Sequence, residues 1–401
     1  MVNPASARFR GPLAPYFVGF WSELLRQGYS PHTGAGLLSL SSHLSRWLAS
    51  HALGGSDLTA ERVAKFVTHR RRRGLKGYRT AQALQPLLGY LRRIGIVPPP
   101  ATRTFHTPVD RLLSEYAEYL ARERGLAAST IRGYTDFARR FVAEQSVGAR
   151  LKWERLRPAD ITSFVLREAR RWSVGQCKYE VTSLRSLLRY LHVGGRIQSD
   201  LAGCVPAVAG WRLAWLPKAL DPDQVRRVLR SCDRRSAIGR RDAAIVRLLV
   251  RLGLRAGDVA ALTLEDLDWR VGEIVLRGKG RRESRSPLPQ DVGRVLAAYL
   301  RRGRPHTISR RVFLRSRAPH TPLTTGGLIA AVRGALRRSG VAGGAHLLRH
   351  TAATQLLRHG ASLPEIGHVL RHRHLDTTAI YAKVDFTTLR TLAQPWPGGA
   401  A

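Results

Sequence analysis

The stretch HRHLDTTAIYAK, residues 372–383, reads as a short helix that sets Tyr381 nine residues after His372 among small, aliphatic and basic groups. A tyrosine in such a place ordinarily packs its ring and hydrogen-bonds its hydroxyl. It becomes a nucleophile only if a neighbour takes or shares its proton, because a phenol with a pKa of about 10 stays protonated at neutral pH. Against a phosphodiester two further needs arise. Fixed cations must meet the negative charge that grows on the non-bridging oxygens, and the departing sugar oxygen must be given a proton.

Each part has a candidate. Arg255 lies in GLRAGDVAAL, where one helix ends at Gly253 and another begins, so its guanidinium projects from an inter-helix corner. Asp258, three residues on, is placed either to orient that arginine or a nearby histidine, or simply to cap a helix. Lys279 sits at the tip of an expected hairpin between Gly278 and Gly280, which let the turn approach a backbone closely. Lysine is rare in this chain, and arginine could not replace it as a proton donor. In HLLRHTAATQLLRHG, residues 346–360, His346 and Arg349 stand three apart on one helix face and can address one phosphate. His-x-x-Arg recurs elsewhere in the chain, but this copy opens a helix after GVAGGA and precedes a small-residue run that permits tight packing. His350 beside it reads as structural, hydrogen-bonding backbone.

In this order and spacing the segments resemble the tyrosine recombinase family, the phage-integrase-like site-specific recombinases. The resemblance covers residues 107–393 and is strongest from 216 onward. LPKALDPDQVRRVL resembles the entry to the family's catalytic domain, and GLRAGDVAALTLEDLDW its first arginine box, at Arg255. GKG resembles the hairpin of its catalytic lysine, at Lys279. HLLRHTAATQLL resembles its second box, at His346 and Arg349, and VLRHRHLDTTAIYAKV its last, at His372 and the nucleophile Tyr381. Two departures stand out. The family usually has glycine where Arg371 precedes the last-box histidine, and it usually carries one helical domain before the catalytic one, not two.

The resemblance implies a reaction. Tyr381 attacks the scissile phosphate in line, expels the 5′-hydroxyl and holds the strand through a 3′-phosphotyrosyl bond. Arg255 and Arg349 neutralise the non-bridging oxygens, Lys279 protonates the leaving oxygen, His346 takes or shares the tyrosine proton, and His372 hydrogen-bonds the phosphate. One phosphoester replaces another, so neither ATP, metal nor any other cofactor is expected. In keeping with that, the sequence has no acid cluster suited to magnesium and no Gly-x-x-x-x-Gly-Lys-Ser/Thr loop. The implied partner is double-stranded DNA with specific recombination sites, bound by a homotetramer, with companion recombinases as a further option. The outcome would be integration, excision or transposition of a mobile element. Two alternatives remain: a type IB topoisomerase, which uses the same groups without paired sites, and a non-catalytic DNA-binding accessory subunit.

These residues need elements to hold them. Asp221-Pro222-Asp223-Gln224 marks a helix start, and helices are expected at 222–232 and 238–252. EIVLRGKGRRESRSPLP, 273–289, reads as two strands joined by the Gly-Lys-Gly turn. Four or five further helices run to about 393, with DFTTLRTLA, 385–393, as a docking segment for a neighbouring copy.

Upstream, GYSPHT (28–33) answers GLAAST (125–130), DLTAERVAKFV (57–67) answers RLRPADITSFV (155–165), and ALQPLLGYLRRIGIV (83–97) answers SLRSLLRYLHVGGRI (183–197). Three ordered matches point to a duplicated helical domain. In the second copy Leu112, Tyr116 and Tyr119 recur at helical spacing, and Ser129 or Thr130 is expected to cap the next helix. Pro98, Pro99 and Pro100 form a stiff spacer, and VPAVAGWRLAWLP, ending at Pro217, forms a second crossing. The expected organisation is a helical domain over 1–97, a linker over 98–106, a core-binding-like helical domain over 107–200, a linker over 201–217 and a catalytic domain over 218–401. The fold class is mostly α with a small antiparallel sheet.

Composition agrees with a nucleic-acid partner. The 401 residues hold 67 Lys plus Arg against 28 Asp plus Glu, a formal charge of +39. So large an excess resists compaction unless a polyanion neutralises it. Cys177, Cys204 and Cys232 form no Cys-x-x-Cys pair, which suggests neither a disulfide framework nor a zinc site. No apolar run is long enough to span a membrane and no signal peptide is evident, so a cytoplasmic, nucleoid-associated protein is expected.

Overall fold

The computed structural model describes residues 9–75, 77, 80–99, 107–147, 150–151, 153, 156–209, 216–277, 283–372, 374–384 and 389. The chain divides into two units, one of residues 1–100 together with 215–401 and one of residues 101–214.

The first unit begins with α1 (Phe17–Arg26), α2 (Pro31–Ala49), α3 (Ala60–Arg72) and α4 (Gln85–Arg93). Local signals start these helices. The Ser30 hydroxyl accepts the Thr33 amide with Pro31 at the first helical position, and Thr59 does the same for the Arg62 amide. Leu24, Leu44, Phe66, Leu88 and their neighbours make one core.

The second unit holds α5 (Pro108–Arg122), α6 (Ala128–Glu144), a two-stranded ribbon of β1 (Ser146–Val147) and β2 (Arg150–Leu151), α7 (Pro158–Ala169) and α8 (Val174–Val193). Leu112 and Tyr116 are buried as the helical spacing predicts. The cap of α6 differs from expectation: Ala127 is the N-cap, without a side-chain bond, and Ser129 and Thr130 lie inside the first turn. Leu201, Ala202 and Val205 are buried in this core, so the helical unit continues past residue 200 into the stretch expected to be linker. Leu84, Leu87, Leu88 and Leu91 of α4 and Leu184, Leu187, Leu188 and Leu191 of α8 are all buried, at the offset of the sequence match.

The rest of the first unit holds the candidate site residues. It contains α9 (Pro222–Arg230), α10 (Ala237–Leu252), α11 (Ala256–Ala261), β3 (Leu267–Asp268), β4 (Glu273–Arg277), β5 (Glu283–Pro287), α12 (Gln290–Arg302), α13 (Thr325–Arg338), α14 (Ala345–Arg358) and α15 (Leu363–Val369). Asp221 and Gln224 form the anticipated capping box, each side chain accepting the other's backbone N–H. The central α10 is buried over most of its length between α12, α13 and α14, its apolar residues Ile245, Val246, Leu248 and Leu249 fully enclosed. The strands form an antiparallel sheet of order β3-β4-β5, with Glu273 opposite Pro287 and Arg277 opposite Glu283. That register brings both strand ends to the turn at 278–282, which lies outside the described residues, as does most of 385–393.

The final segment departs from expectation. Residues 372–383 do not form one helix; two short 3₁₀ turns, Leu375–Thr377 and Ala379–Val384, carry the chain past α15. No described helix is long and apolar enough to cross a membrane. The chain is mostly helical with a small antiparallel sheet.

Candidate active site

Arg349 is the centre of the cluster. On α14 it faces inward between small residues and is only 4% exposed. Its Nη1 donates to the carbonyl of Gly253 and its Nη2 to the carbonyl of Leu370, the latter at 2.6 Å. Gly253 ends α10 in the left-handed conformation, φ +58°, which turns its carbonyl away from the helix. A Cβ there would also run into Leu370. A cation thus answers carbonyls at the C-terminal ends of two helices, where the helix dipoles favour it. Burial, reinforced by the charge of Arg255, lowers the Arg349 pKa to about 10, so it stays protonated at neutral pH. Two carbonyls use two of its five N–H groups and leave three for another oxygen-rich partner.

Tyr381 is 2% exposed and packs with Ala353, Ile366 and Leu370. Its hydroxyl lies 2.8 Å from Nδ1 of His350. That contact replaces the backbone partner expected for His350. Burial pushes the phenol up to about 12 against the opposing pull of Arg349. Burial, with the charges of His346 and Arg349, holds the His350 pKa down at about 4. Both groups are therefore neutral near pH 7, and the phenol donates when Nδ1 carries the lone pair.

His346, one helical turn before His350, stacks edge-on against it with centroids 4.3 Å apart. Although its surface is exposed, enough protein surrounds the ring that desolvation lowers its pKa, followed by the charges of Arg349 and Arg255. His372 hydrogen-bonds the buried Thr378 hydroxyl through Nδ1 at 2.7 Å. Desolvation lowers the His372 pKa to about 4, and Arg349, Arg255, His346 and His350 push the same way.

Arg255 is the N-cap residue of α11, with an exposed guanidinium whose Nη2 donates to the carbonyl of Arg371 at 2.9 Å. Among the described residues, no hydrogen bond joins the Asp258 carboxylate to Arg255 or to a histidine. That carboxylate pairs with Arg371. Lys279 lies outside the described residues. Sequence reasoning did not place His350 and Arg371 in this cluster. Adjacency to His346 and Arg349 was the available signal for the first, and the departure from glycine for the second.

Comparison with known proteins shows the family. The family model described as phage integrase family matches residues 218–388, and that of the phage integrase N-terminal SAM-like domain matches residues 113–194. A Sinorhizobium fredii protein provisionally named integrase/recombinase y4rA is 41% identical over 397 residues, covering 97% of this chain and 96% of that one. The chain belongs to the phage integrase family, the tyrosine recombinases. Among other tyrosine recombinases, XerD of Listeria monocytogenes is 32% identical over 283 residues, 68% of this chain and 94% of its own. The fold is shared with the crystal structure of a lambda integrase (75–356) dimer bound to a COC′ core site, at TM-score 0.54 and 16% identity, over 72% of this chain and 98% of that one. It is shared also with XerH site-specific recombinase bound to palindromic difH substrate, at TM-score 0.52 and 16% identity, over 96% and 97%. This tyrosine recombinase is accordingly a site-specific recombination enzyme by family.

Proposed function

We propose that this recombinase cuts and rejoins duplex DNA through a covalent bond between Tyr381 and a 3′-phosphate. The reading rests on two guanidinium groups, of Arg255 and Arg349, held by the adjacent carbonyls of Arg371 and Leu370, and on the Tyr381 hydroxyl bonded to His350, whose ring stacks on His346. The phenol oxygen attacks phosphorus, the bond to the sugar 5′-oxygen breaks, and that oxygen leaves as a hydroxyl. Arg349 and Arg255 offer N–H groups to the non-bridging oxygens, where charge develops. Lys279 supplies the leaving proton, and a neutral histidine receives the phenol proton. His346 is the family-based choice for that receiver, and His372 hydrogen-bonds the phosphate. The 5′-hydroxyl of a partner strand then reverses the step with the same groups.

A phenol this deeply buried cannot meet a duplex without moving. The segment 375–384 must shift so that Tyr381 leaves His350 for the phosphate. The partners follow from the charge of +39 and from the relatives, whose solved complexes include a lambda integrase tetramer on a Holliday junction. We infer duplex DNA with paired sites and a homotetramer, in the service of integration, excision or transposition. The extra N-terminal helices lengthen the recognition site or meet a companion recombinase.

Incubation with a plasmid carrying two copies of the footprinted site tests this. Recombinant circles are expected, with no relaxation of a plasmid lacking sites. Relaxation of any supercoiled plasmid without recombinants would instead indicate a topoisomerase.

A further inference from the structure

Arg371 occupies a position made for glycine. The helix α15 ends at Val369 with Leu370 as its cap, and the next residue, Arg371, has φ +54°. The Arg371 N–H donates to the His368 carbonyl and the His372 N–H to the Gly367 carbonyl, both at 2.9 Å. These two bonds define a Schellman motif, whose left-handed residue is usually glycine because any Cβ is strained there. Among the described residues only Ala52 is another non-glycine with positive φ. A strained conformation tolerated next to a reactive cluster calls for a compensating role.

The side chain supplies one. Its Nη2 pairs with the Asp258 carboxylate on α11, both side chains being largely buried at 16% and 15% exposure. Its Nη1 reaches the Ser284 hydroxyl on β5 at 3.4 Å. Its own carbonyl accepts from Arg255, while the preceding carbonyl, of Leu370, accepts from Arg349. One residue thus joins α11, the hairpin that leads to Lys279, and the segment that leads to His372 and Tyr381. Asp258 stands three residues after Arg255 and is the one carboxylate paired within this cluster of three arginines among the described residues. With Arg371 occupying it, Arg255 keeps its charge for a phosphate.

We propose that Arg371 is a positioning residue for strand cleavage: it sequesters the Asp258 carboxylate from Arg255 and fastens the β4–β5 hairpin to the tyrosine segment. The inference rests on the phosphotyrosyl reading above and deepens it.

The test uses the full chain, with Arg371→Gly, Arg371→Lys, and Arg371→Gly combined with Asp258→Asn. Four quantities are read: melting temperature, affinity for a duplex of the footprinted site, single-turnover covalent attachment at saturating protein, and amide exchange. Arg371→Gly relieves the backbone strain, so the fold and the affinity persist. Attachment slows by up to about a hundredfold, the order expected when reacting groups are misplaced by about 1 Å. Exchange rises at 283–287 and 374–384. Asp258→Asn added to Arg371→Gly recovers most of the rate, because no carboxylate is left to capture Arg255, and Arg371→Lys retains part of it. Wild-type attachment by Arg371→Gly, a loss of affinity that accounts for its slower reaction, or no recovery in the double variant would each overturn the proposal. If the wild-type chain itself attaches no DNA, the phosphotyrosyl reading fails, and the exchange comparison still decides whether Arg371 fastens the hairpin.

Discussion

The hydroxyl of the buried Tyr381 and Nδ1 of the half-buried His350 lie 2.8 Å apart, although 31 positions separate them in the chain. The contact holds the phenol proposed as nucleophile beside a neutral imidazole. A buried hydroxyl deprived of its partner costs about 1–3 kcal/mol, so this bond helps hold the last segment in place.

His350→Ala should therefore loosen residues 379–384 while leaving α10 and the main core intact. Amide exchange measured by mass spectrometry is the check. Faster exchange confined to the segment and to the adjoining end of α15 is expected, and unchanged exchange there would show that His350 does not retain the tyrosine.

Acid should act on the same region. His350 and His372 have pKa values of about 4 in the folded chain, below the ordinary value of 6.5, because burial penalises the charged ring. Groups shifted this way contribute stability that is fully present above about pH 6.5 and drains away as the pH falls toward 4. Melting temperature should decline across that window, and less steeply in His350→Gln and His372→Gln. Equal slopes in all three proteins would contradict the assignment.

Arg349 bridges two carbonyls. Arg349→Ala leaves the carbonyls of Gly253 and Leu370 without their donor, at about 1–3 kcal/mol each where water cannot enter. Arg349→Lys keeps the charge but, lacking a planar fork, cannot span both. Urea denaturation should give a lower midpoint for both variants with alanine the worse. A lysine variant as stable as wild type would mean the bridging is incidental.

Local chemistry explains what could be read in advance. Pro222 behind Asp221, Gly253 behind Leu252 and GVAGGA ahead of His346 are signals that the chain within a few residues can satisfy, and the helices stand where these place them. The two strands flanking the Gly-Lys-Gly turn were legible for the same reason. Non-local pairings were not. Asp258 and Arg371 are 113 residues apart, and nothing in the spacing of either announces the other. The segment 372–383 misled because helical periodicity alone cannot register that the Thr378 side chain is taken by His372 or that α15 has already turned left-handed at Arg371. Leu201 and Val205 likewise look like linker until the second core is assembled around them.

Covalent capture of DNA addresses the proposed chemistry most directly. A nicked duplex of the footprinted site loses a short fragment once the strand is cut, so an attached enzyme cannot rejoin it. Wild type should accumulate a denaturation-resistant adduct whose DNA-bearing peptide contains Tyr381, and Tyr381→Phe should bind the same duplex without forming it. An adduct that persists in Tyr381→Phe, or its absence from a wild-type protein that binds the site, would contradict the role given to that phenol.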